Sequence, residues 1–209
     1  MKKIIILLIF LFSLNFIQAE EGEFQFGLGV GAYFPLNQYT DDKTVYIYTS
    51  YNIPVTLYFG ITDNFDIGIY GSFTRITDSY VDSEYNGLSG REYFNYHHFN
   101  IGGRLRYNWL PGYPFFAPHV FVGMGNNIET FTNREFYIDG DKLYKDFDKG
   151  SYTDGTLNFQ FGLDFTSRIW WVFFLNLELV YNQQINKTGF FELNFYVGID
   201  GFLKTYGGR

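Results

Sequence analysis

The sequence predicts an all-β fold: an eight-stranded antiparallel, up-and-down transmembrane β-barrel. Apolar residues recur at every second position through eight segments, which is the repeat of a pleated strand. Long and short connections alternate between these segments, as in a meander that crosses a membrane. Beyond residue 19, no apolar stretch approaches the roughly 20 residues of a transmembrane helix. Strands that cross a membrane must close into a barrel, because lipid offers an open edge no hydrogen-bond partners.

The predicted strands are recognised by alternating side chains between turn residues. In the clearest strand, Leu157, Phe159, Phe161, Leu163 and Phe165 alternate with asparagine, glutamine, glycine and aspartate. The eight predicted strands cover residues 23–34, 51–60, 65–76, 93–109, 116–126, 156–166, 171–182 and 191–203. Each of them therefore has one apolar face and one polar face.

The connections between the predicted strands have unequal lengths. Long ones follow the first, third and fifth strands and cover residues 35–50, 77–92 and 127–155, whereas the links after the second, fourth and sixth are short. This order is typical of outer-membrane barrels, which have long loops outside the cell and tight turns in the periplasm. Within the longest loop, Asp139-Gly140 suits a two-residue hairpin turn, so a small ribbon is predicted there.

The composition of the two faces indicates which solvent each one meets. A soluble barrel carries lysine and glutamate along its outer face, but the lysines of residues 20–209 all fall in predicted loops or at the end of the last strand. They are Lys43, Lys142, Lys145, Lys149, Lys187 and Lys204. The polar face is mostly glycine, asparagine, glutamine and threonine, which suits a hydrated interior. Arg75 is an exception on the apolar face, at the outer end of the third strand, where its head group can reach water.

The apolar face is therefore predicted to contact lipid. In the sixth and eighth strands the predicted lipid-facing residues are Leu157, Phe159, Phe161, Leu163, Phe165, Leu193, Phe195, Val197 and Ile199. A soluble lipocalin-like calyx is the eight-stranded alternative. It has a C-terminal helix and a Gly-x-Trp near its first strand, whereas the tryptophans here are Trp109, Trp170 and Trp171.

Charged residues on the polar face are predicted to pair inside the lumen. Eight strands leave a lumen just wide enough for side chains to fill, and a buried charge without a partner costs several kcal/mol. The predicted ion-pair network consists of Arg104, Arg106, Asp164, Glu178, Glu192 and Asp200. Such a network is expected to plug the lumen, and a pore gate is the alternative.

The first 19 residues are predicted to be a secretory signal peptide. Lys2 and Lys3 precede a short apolar run, and Ala19 stands before the predicted cleavage site. Residues 20–209 then form one barrel domain, and the loss of two lysines lowers the net charge from −7 to −9. Nucleic acid is excluded as a partner, because phosphate binding needs a basic face. The chain has no cysteine, which excludes disulfides and thiol chemistry.

Taken with the signal peptide, three stretches resemble the small outer-membrane β-barrel superfamily: "FQFGLGVGAYF", "YFGITDNFDIGIYGSF" and "ELNFYVGIDGFL". This superfamily includes the transmembrane domain of outer-membrane protein A, outer-membrane protein W and opacity-type surface proteins. The resemblance covers residues 20–209 and rests on pattern, not on an invariant motif. It implies a place in the cell outer membrane, with outer-membrane lipid and the barrel-insertion machinery as partners. Such barrels commonly end on an aromatic residue, whereas this chain continues past Phe202 to Arg209.

The sequence favours a structural or surface-interaction role, with acidic, tyrosine-rich loops that bind an extracellular ligand outside the cell. A narrow channel for small solutes is the alternative. No phosphate loop or zinc spacing is present, so the chain is predicted to use no metal or cofactor and not to be an enzyme. The segment from Asp139 to Asp148 is acidic but lacks the ligand spacing of a calcium loop.

A lipid A-modifying enzyme is a third hypothesis, because some eight-stranded barrels carry such activity on a histidine near the outer leaflet. His97-His98 opens the fourth strand near the outer rim, and His119 opens the fifth strand near the periplasm. Candidate partners on the outer rim are Ser72, Asp78, Ser79 and Glu92. Hydrolysis needs an imidazole held between a carboxylate and a hydroxyl, and no spacing in the sequence establishes that arrangement.

Overall fold

The computed structural model describes residues 23–36, 38–40, 43–85, 87–110, 116–138, 141–145, 152–170 and 173–202. The predicted signal peptide, residues 1–19, lies outside this range. No helix within these residues is long and apolar enough to cross a membrane.

The described residues form strands of very different lengths. Their bounds are β1 (Glu23–Pro35), β2 (Gln38–Thr40), β3 (Lys43–Tyr46), β4 (Ser50–Gly60), β5 (Phe65–Tyr85), β6 (Leu88–Asn108), β7 (Ala117–Ile138), β8 (Asp141–Lys145), β9 (Tyr152–Trp170), β10 (Phe173–Gln184) and β11 (Phe190–Phe202). Eight of these build one wall, and β2, β3 and β8 extend it at one end.

The wall closes because β1 pairs antiparallel with both the next wall strand and the last one. Gly27, for example, lies opposite Thr56 of β4 and Gly198 of β11. The order around the ring is β1, β4, β5, β6, β7, β9, β10 and β11, with every neighbouring pair antiparallel. The predicted eight-stranded up-and-down barrel is confirmed, and closure leaves neither β1 nor β11 as an open edge.

The two ends of the barrel are built differently. At the end where β1 begins and β11 finishes, β4 and β5 are joined by a tight turn, in which the Ile61 amide donates to the Phe65 carbonyl at 2.8 Å. This is the turn end. At the opposite, ribbon end, β5, β6 and β7 run past their neighbours, and β3 and β8 pair with them.

The predicted loop 77–92 is wrong, because β5 and β6 extend through most of this segment as paired strands. β5 and β6 pair from Phe65 opposite Tyr107 up to Tyr85 opposite Leu88, with one irregularity between Ile76 and Ser79. Beyond the apolar part of the wall both faces of the strands are polar or mixed, so alternation disappears while backbone pairing continues.

The ribbon predicted within the longest loop is present but begins earlier. β7 continues to Ile138, which lies opposite Asp141 of β8. The predicted turn residues Asp139 and Gly140 are themselves outside the described residues. Residue 171, where the seventh predicted strand begins, and residue 203, where the eighth ends, also lie outside the described residues.

The wall is polar inside and apolar outside, which is the reverse of a water-soluble domain. Asn100, Gln160 and Asn182 point inward and are fully buried, whereas Leu28 and Ile69 point outward and are 53% and 61% exposed. All nine residues predicted to face lipid lie on this outer face, with 38–53% of each exposed.

Candidate functional site

The middle of the lumen is organised around Arg104. Its Nη1 lies 2.6 Å from Glu178 Oε2, and its Nε donates to Gln160 Oε1 at 2.7 Å. The guanidinium plane packs against the rings of Tyr70 and Phe121, at 4.1 and 4.4 Å from the ring centroids. A desolvated arginine is held in this way by charge-assisted hydrogen bonds and by aromatic faces.

Glu178 in turn accepts hydrogen bonds from two further inward side chains. Asn194 Nδ2 and Tyr196 Oη donate to its Oε1 at 3.0 and 2.9 Å. Because both carboxylate oxygens of Glu178 have partners, the burial of this charge is compensated.

Side chains from strands that are not neighbours also bond to each other across the lumen. Asn100 of β6 donates to Asn182 of β10 at 3.1 Å, and Ser72 of β5 donates to Glu192 of β11 at 2.9 Å. The Arg104–Glu178 pair likewise joins β6 to β10. These contacts cross the barrel instead of following its wall, so the side chains occupy its cross-section.

Arg106 occupies the next layer toward the turn end. Its Nε donates to Asp66 Oδ2 at 2.7 Å, and its Nη2 donates to Gln25 Oε1 at 2.5 Å. Asp164 Oδ2 lies farther off, at 3.8 Å from Nη1, and the guanidinium packs over the Tyr58 ring at 4.0 Å. The nearest carboxylate is therefore Asp66, which the predicted network did not include.

Asp164 also contacts His119, which was predicted only to open the fifth strand near the periplasm. His119 Nδ1 lies 2.7 Å from Asp164 Oδ1, and both side chains are buried. Thr166 Oγ1 and Asn176 Nδ2 donate to the same oxygen at 3.2 and 3.0 Å. His119 is therefore part of the lumen packing.

Two of the predicted carboxylates do not pair with Arg104 or Arg106. Asp200 binds Arg168, which also binds Glu23, and Glu192 accepts the bond from Ser72. The reason for the first difference is that β9 continues to Trp170, which places Arg168 on the inward face. The predicted strand ends at residue 166, so Arg168 was expected in a link.

Toward the ribbon end, the lumen contains a second carboxylate centre that the sequence analysis missed. Glu129 is fully buried and accepts hydrogen bonds from Tyr96, Gln184 and Lys187 at 3.0, 2.8 and 2.7 Å. Glu129 was assigned to the predicted loop 127–155, so its inward direction was not foreseen. Asn127 and Glu129 continue the every-second-residue pattern of the predicted fifth strand. That pattern was the signal that Glu129 points inward.

Lys187, from the turn between β10 and β11, links this centre to the wall. Its Nζ lies 2.7 Å from Glu129 Oε2 and 2.7 Å from Asp154 Oδ2. Partial burial acts to lower the pKa of Lys187, but the two carboxylates raise it above its usual range, so the ammonium stays charged.

His98 lies in an aromatic layer near the same end. It is fully buried, with ring centroids 5.1 Å from Tyr33, 6.0 Å from Tyr96 and 4.7 Å from Phe190. The three aromatic neighbours of His98 belong to the apolar cluster of Tyr33, Ile47, Ile76, Phe94, Tyr96 and Phe190. The cluster lies beside Glu129, to which its Tyr96 donates.

The histidine–serine arrangement of the enzyme hypothesis does not form among the described side chains. His97 points outward while His98 points inward, because successive residues of a strand alternate. Ser72 donates to Glu192 and not to an imidazole, Ser79 is buried, and Glu92 binds Arg134. The side chain of Asp78 lies outside the described residues.

The acidic segment from Asp139 to Asp148 falls largely outside the described residues, and β8 occupies part of it. Among the side chains that the structure does describe, no group of three or more histidines and carboxylates is arranged to hold a metal ion.

These features define a small eight-stranded β-barrel of the outer-membrane type, with a packed polar lumen and an apolar outer wall. Solved structures with this fold include the following two. OprG, an outer membrane protein from Pseudomonas aeruginosa, matches with a TM-score of 0.57 and 14% identity over 88% of this chain and 97% of that one. Ail, the attachment invasion locus protein of Yersinia pestis, solved with the heparin analogue sucrose octasulfate, matches with a TM-score of 0.53 and 9% identity over 87% and 99%. No protein-family model and no curated protein matches the chain.

Proposed function

We propose that the chain is an integral protein of the cell outer membrane with a structural or surface-interaction role. The observation that carries this proposal is the inverted wall: Leu28, Ile69 and Leu177 are about half exposed, while Glu178 and Glu129 are buried. Hydrocarbon is the solvent that such an outer face suits. Outer-membrane lipid is then its first partner. The barrel-insertion machinery inserts the chain into the membrane after the signal peptide, residues 1–19, is cleaved.

The part available for surface interaction is the ribbon end. Here β5, β6 and β7 continue past the apolar wall and present Asp82, Arg91 and Tyr93 outside it. We assign this end to the cell exterior and the turn end to the periplasm. Ail was solved with a polyanionic heparin analogue; the net charge of −7 of this chain disfavours a ligand of that kind.

Single-cysteine labelling tests the orientation, because the natural chain has no cysteine. Ser89→Cys places a thiol on exposed β6 near the ribbon tip, and Ile61→Cys places one in the turn between β4 and β5. On intact cells, a membrane-impermeant maleimide is expected to label S89C and not I61C. After cell lysis, both variants should react.

The two variants control for each other, since each carries one exposed thiol on the same barrel. Labelling of I61C alone on intact cells would reverse the assigned orientation. Labelling of neither variant on intact cells, together with recovery of the protein in the soluble fraction, would contradict the outer-membrane proposal itself.

The narrow-channel alternative is tested by conductance in planar bilayers. Because Arg104, Asn100 and Ser72 bond across the lumen to residues of distant strands, the folded protein is expected to give no stepwise conductance. Folding is checked on the same sample by the change in gel mobility on boiling. Regular conductance steps from folded protein would support the channel in place of the plugged lumen.

A further inference from the structure

Arg75 has surroundings unlike those of the other arginines that the structure describes. The other five each form an ion pair with a carboxylate: Arg91 with Asp82, Arg104 with Glu178, Arg106 with Asp66, Arg134 with Glu92 and Arg168 with Asp200. Within the described part of the chain Arg75 forms no such pair, and its side chain is exposed on the outer face of β5. An exposed cation on this wall is therefore available to a ligand.

Arg75 stands at the boundary of the apolar wall. It lies opposite His97, and the pair directly below, toward the turn end, is Phe73 opposite Phe99. Both phenylalanines point outward and are 42% and 40% exposed, and the His97 ring stacks on the Phe73 ring with centroids 6.3 Å apart. Arg75 and His97 are thus the first polar pair above hydrocarbon-facing side chains, at the level where lipid head groups begin.

Two hydroxyls continue this pair along the same cross-strand row. His97 lies opposite Thr130 of β7, which lies opposite Thr153 of β9, with the two Oγ1 atoms 3.3 Å apart. Four adjacent strands give the row a width of about 15 Å. Each side chain in it can donate hydrogen bonds, and none is a carboxylate, so the row is suited to an anion.

We propose that the row Arg75–His97–Thr130–Thr153 binds the phosphate of a phosphorylated glycolipid in the outer leaflet. The inference rests on the proposed outer-membrane location and names a lipid partner for it. A guanidinium matches phosphate oxygens with two parallel hydrogen bonds, and His97 and the threonines supply further donors. The acyl chains of the same molecule lie on Phe73 and the apolar residues below it.

This position favours a membrane lipid over free phosphate. Directly below His97 and Thr130 the wall continues with Phe99 and Ile128, which lie opposite each other. A lipid contacts both levels at once, with its head group on the row and its chains on the wall, whereas inorganic phosphate contacts only the row.

The test measures how much lipid A stays bound to detergent-folded protein. Wild type is mixed with diphosphoryl lipid A, separated from free lipid, and the retained lipid is quantified by mass spectrometry. Arg75→Gln is expected to lower retention about tenfold, since a charge-assisted bidentate contact is lost, and His97→Gln is expected to lower it less. Arg91→Gln is the matched control, because Arg91 is paired with Asp82 far from the row, and it should retain as much as wild type.

Two further arms identify what is recognised. Dephosphorylated lipid A with the same acyl chains is expected to bind wild type and R75Q equally and weakly, and millimolar inorganic phosphate is not expected to displace the phosphorylated lipid. Equal retention of both lipids by wild type, equal loss in R75Q and R91Q, or displacement by inorganic phosphate would each overturn the inference. Any of these results with correctly folded, membrane-inserted protein leaves the proposed function standing, whereas a chain that fails to insert contradicts the proposed function instead.

Discussion

Leu177→Arg is expected to destabilise the folded barrel in lipid by about 2–4 kcal/mol, the cost of an arginine at the middle of a lipid-facing wall. Leu177 points outward at the centre of β10, opposite Phe165 and Phe195, and is 48% exposed. Equilibrium unfolding in urea from phospholipid vesicles measures the loss, and the change in gel mobility on boiling reports the folded fraction.

Ser89→Arg serves as the matched control, because it places the same side chain on exposed β6 beyond the apolar wall. It should leave the unfolding free energy nearly unchanged. If the outer face were bathed by water, Leu177→Arg would be as harmless as Ser89→Arg, so equal stabilities of the two variants would refute the membrane-facing assignment of the wall.

Glu178→Met is expected to cost about 3–5 kcal/mol of unfolding free energy, because it leaves Arg104 buried without its carboxylate. The pair is only 2.6 Å apart and almost fully buried on both sides. Asn194 and Tyr196 also lose the acceptor to which they donate. Urea unfolding of folded protein in vesicles measures this loss as well.

The double variant Arg104→Met/Glu178→Met should recover most of that stability, since neither charge of this pair remains buried without its partner and the two side chains keep similar volumes. Asp82→Ala breaks the ion pair with Arg91 at the protein surface, where the Arg91 and Asp82 side chains are 58% and 64% exposed. Water screens that pair, so little change is expected. A Glu178→Met variant as stable as Asp82→Ala would show that the lumen is hydrated and does not hold a desolvated ion pair.

The sequence predicted the barrel wall more accurately than its extensions. Between Leu157 and Phe165 the alternation of apolar and polar residues identified β9 because one side meets the outer solvent and the other meets the lumen. From Thr77 to Glu92 both faces of the hairpin are polar or mixed, so the same signal is absent although the strands are paired from Ser79 opposite Phe94 to Tyr85 opposite Leu88. Backbone pairing without a difference in solvent leaves no pattern to detect.

The same limit explains which lumen partners were missed. Arg168 and Glu129 lie beyond the ends that alternation gave their strands, and so they were assigned to connections. Asp66 is the second residue of β5, close to a turn, and it lies opposite Arg106 only because β5 pairs with β6 in the observed register. Strand ends and register are set by backbone hydrogen bonds, which side-chain periodicity does not report.

The sequence by itself determined the number of wall strands and, within the predicted strands, which side chains share a face and whether that face is apolar or polar. These follow from local alternation and from composition, since lysine is absent from the wall and aromatic residues cover it. Only the tertiary structure decided that Arg104 meets Glu178 while Asp200 meets Arg168. Alternation fixes the direction of a side chain but not its height along the barrel axis, and that height depends on the stagger accumulated between strands far apart in the chain.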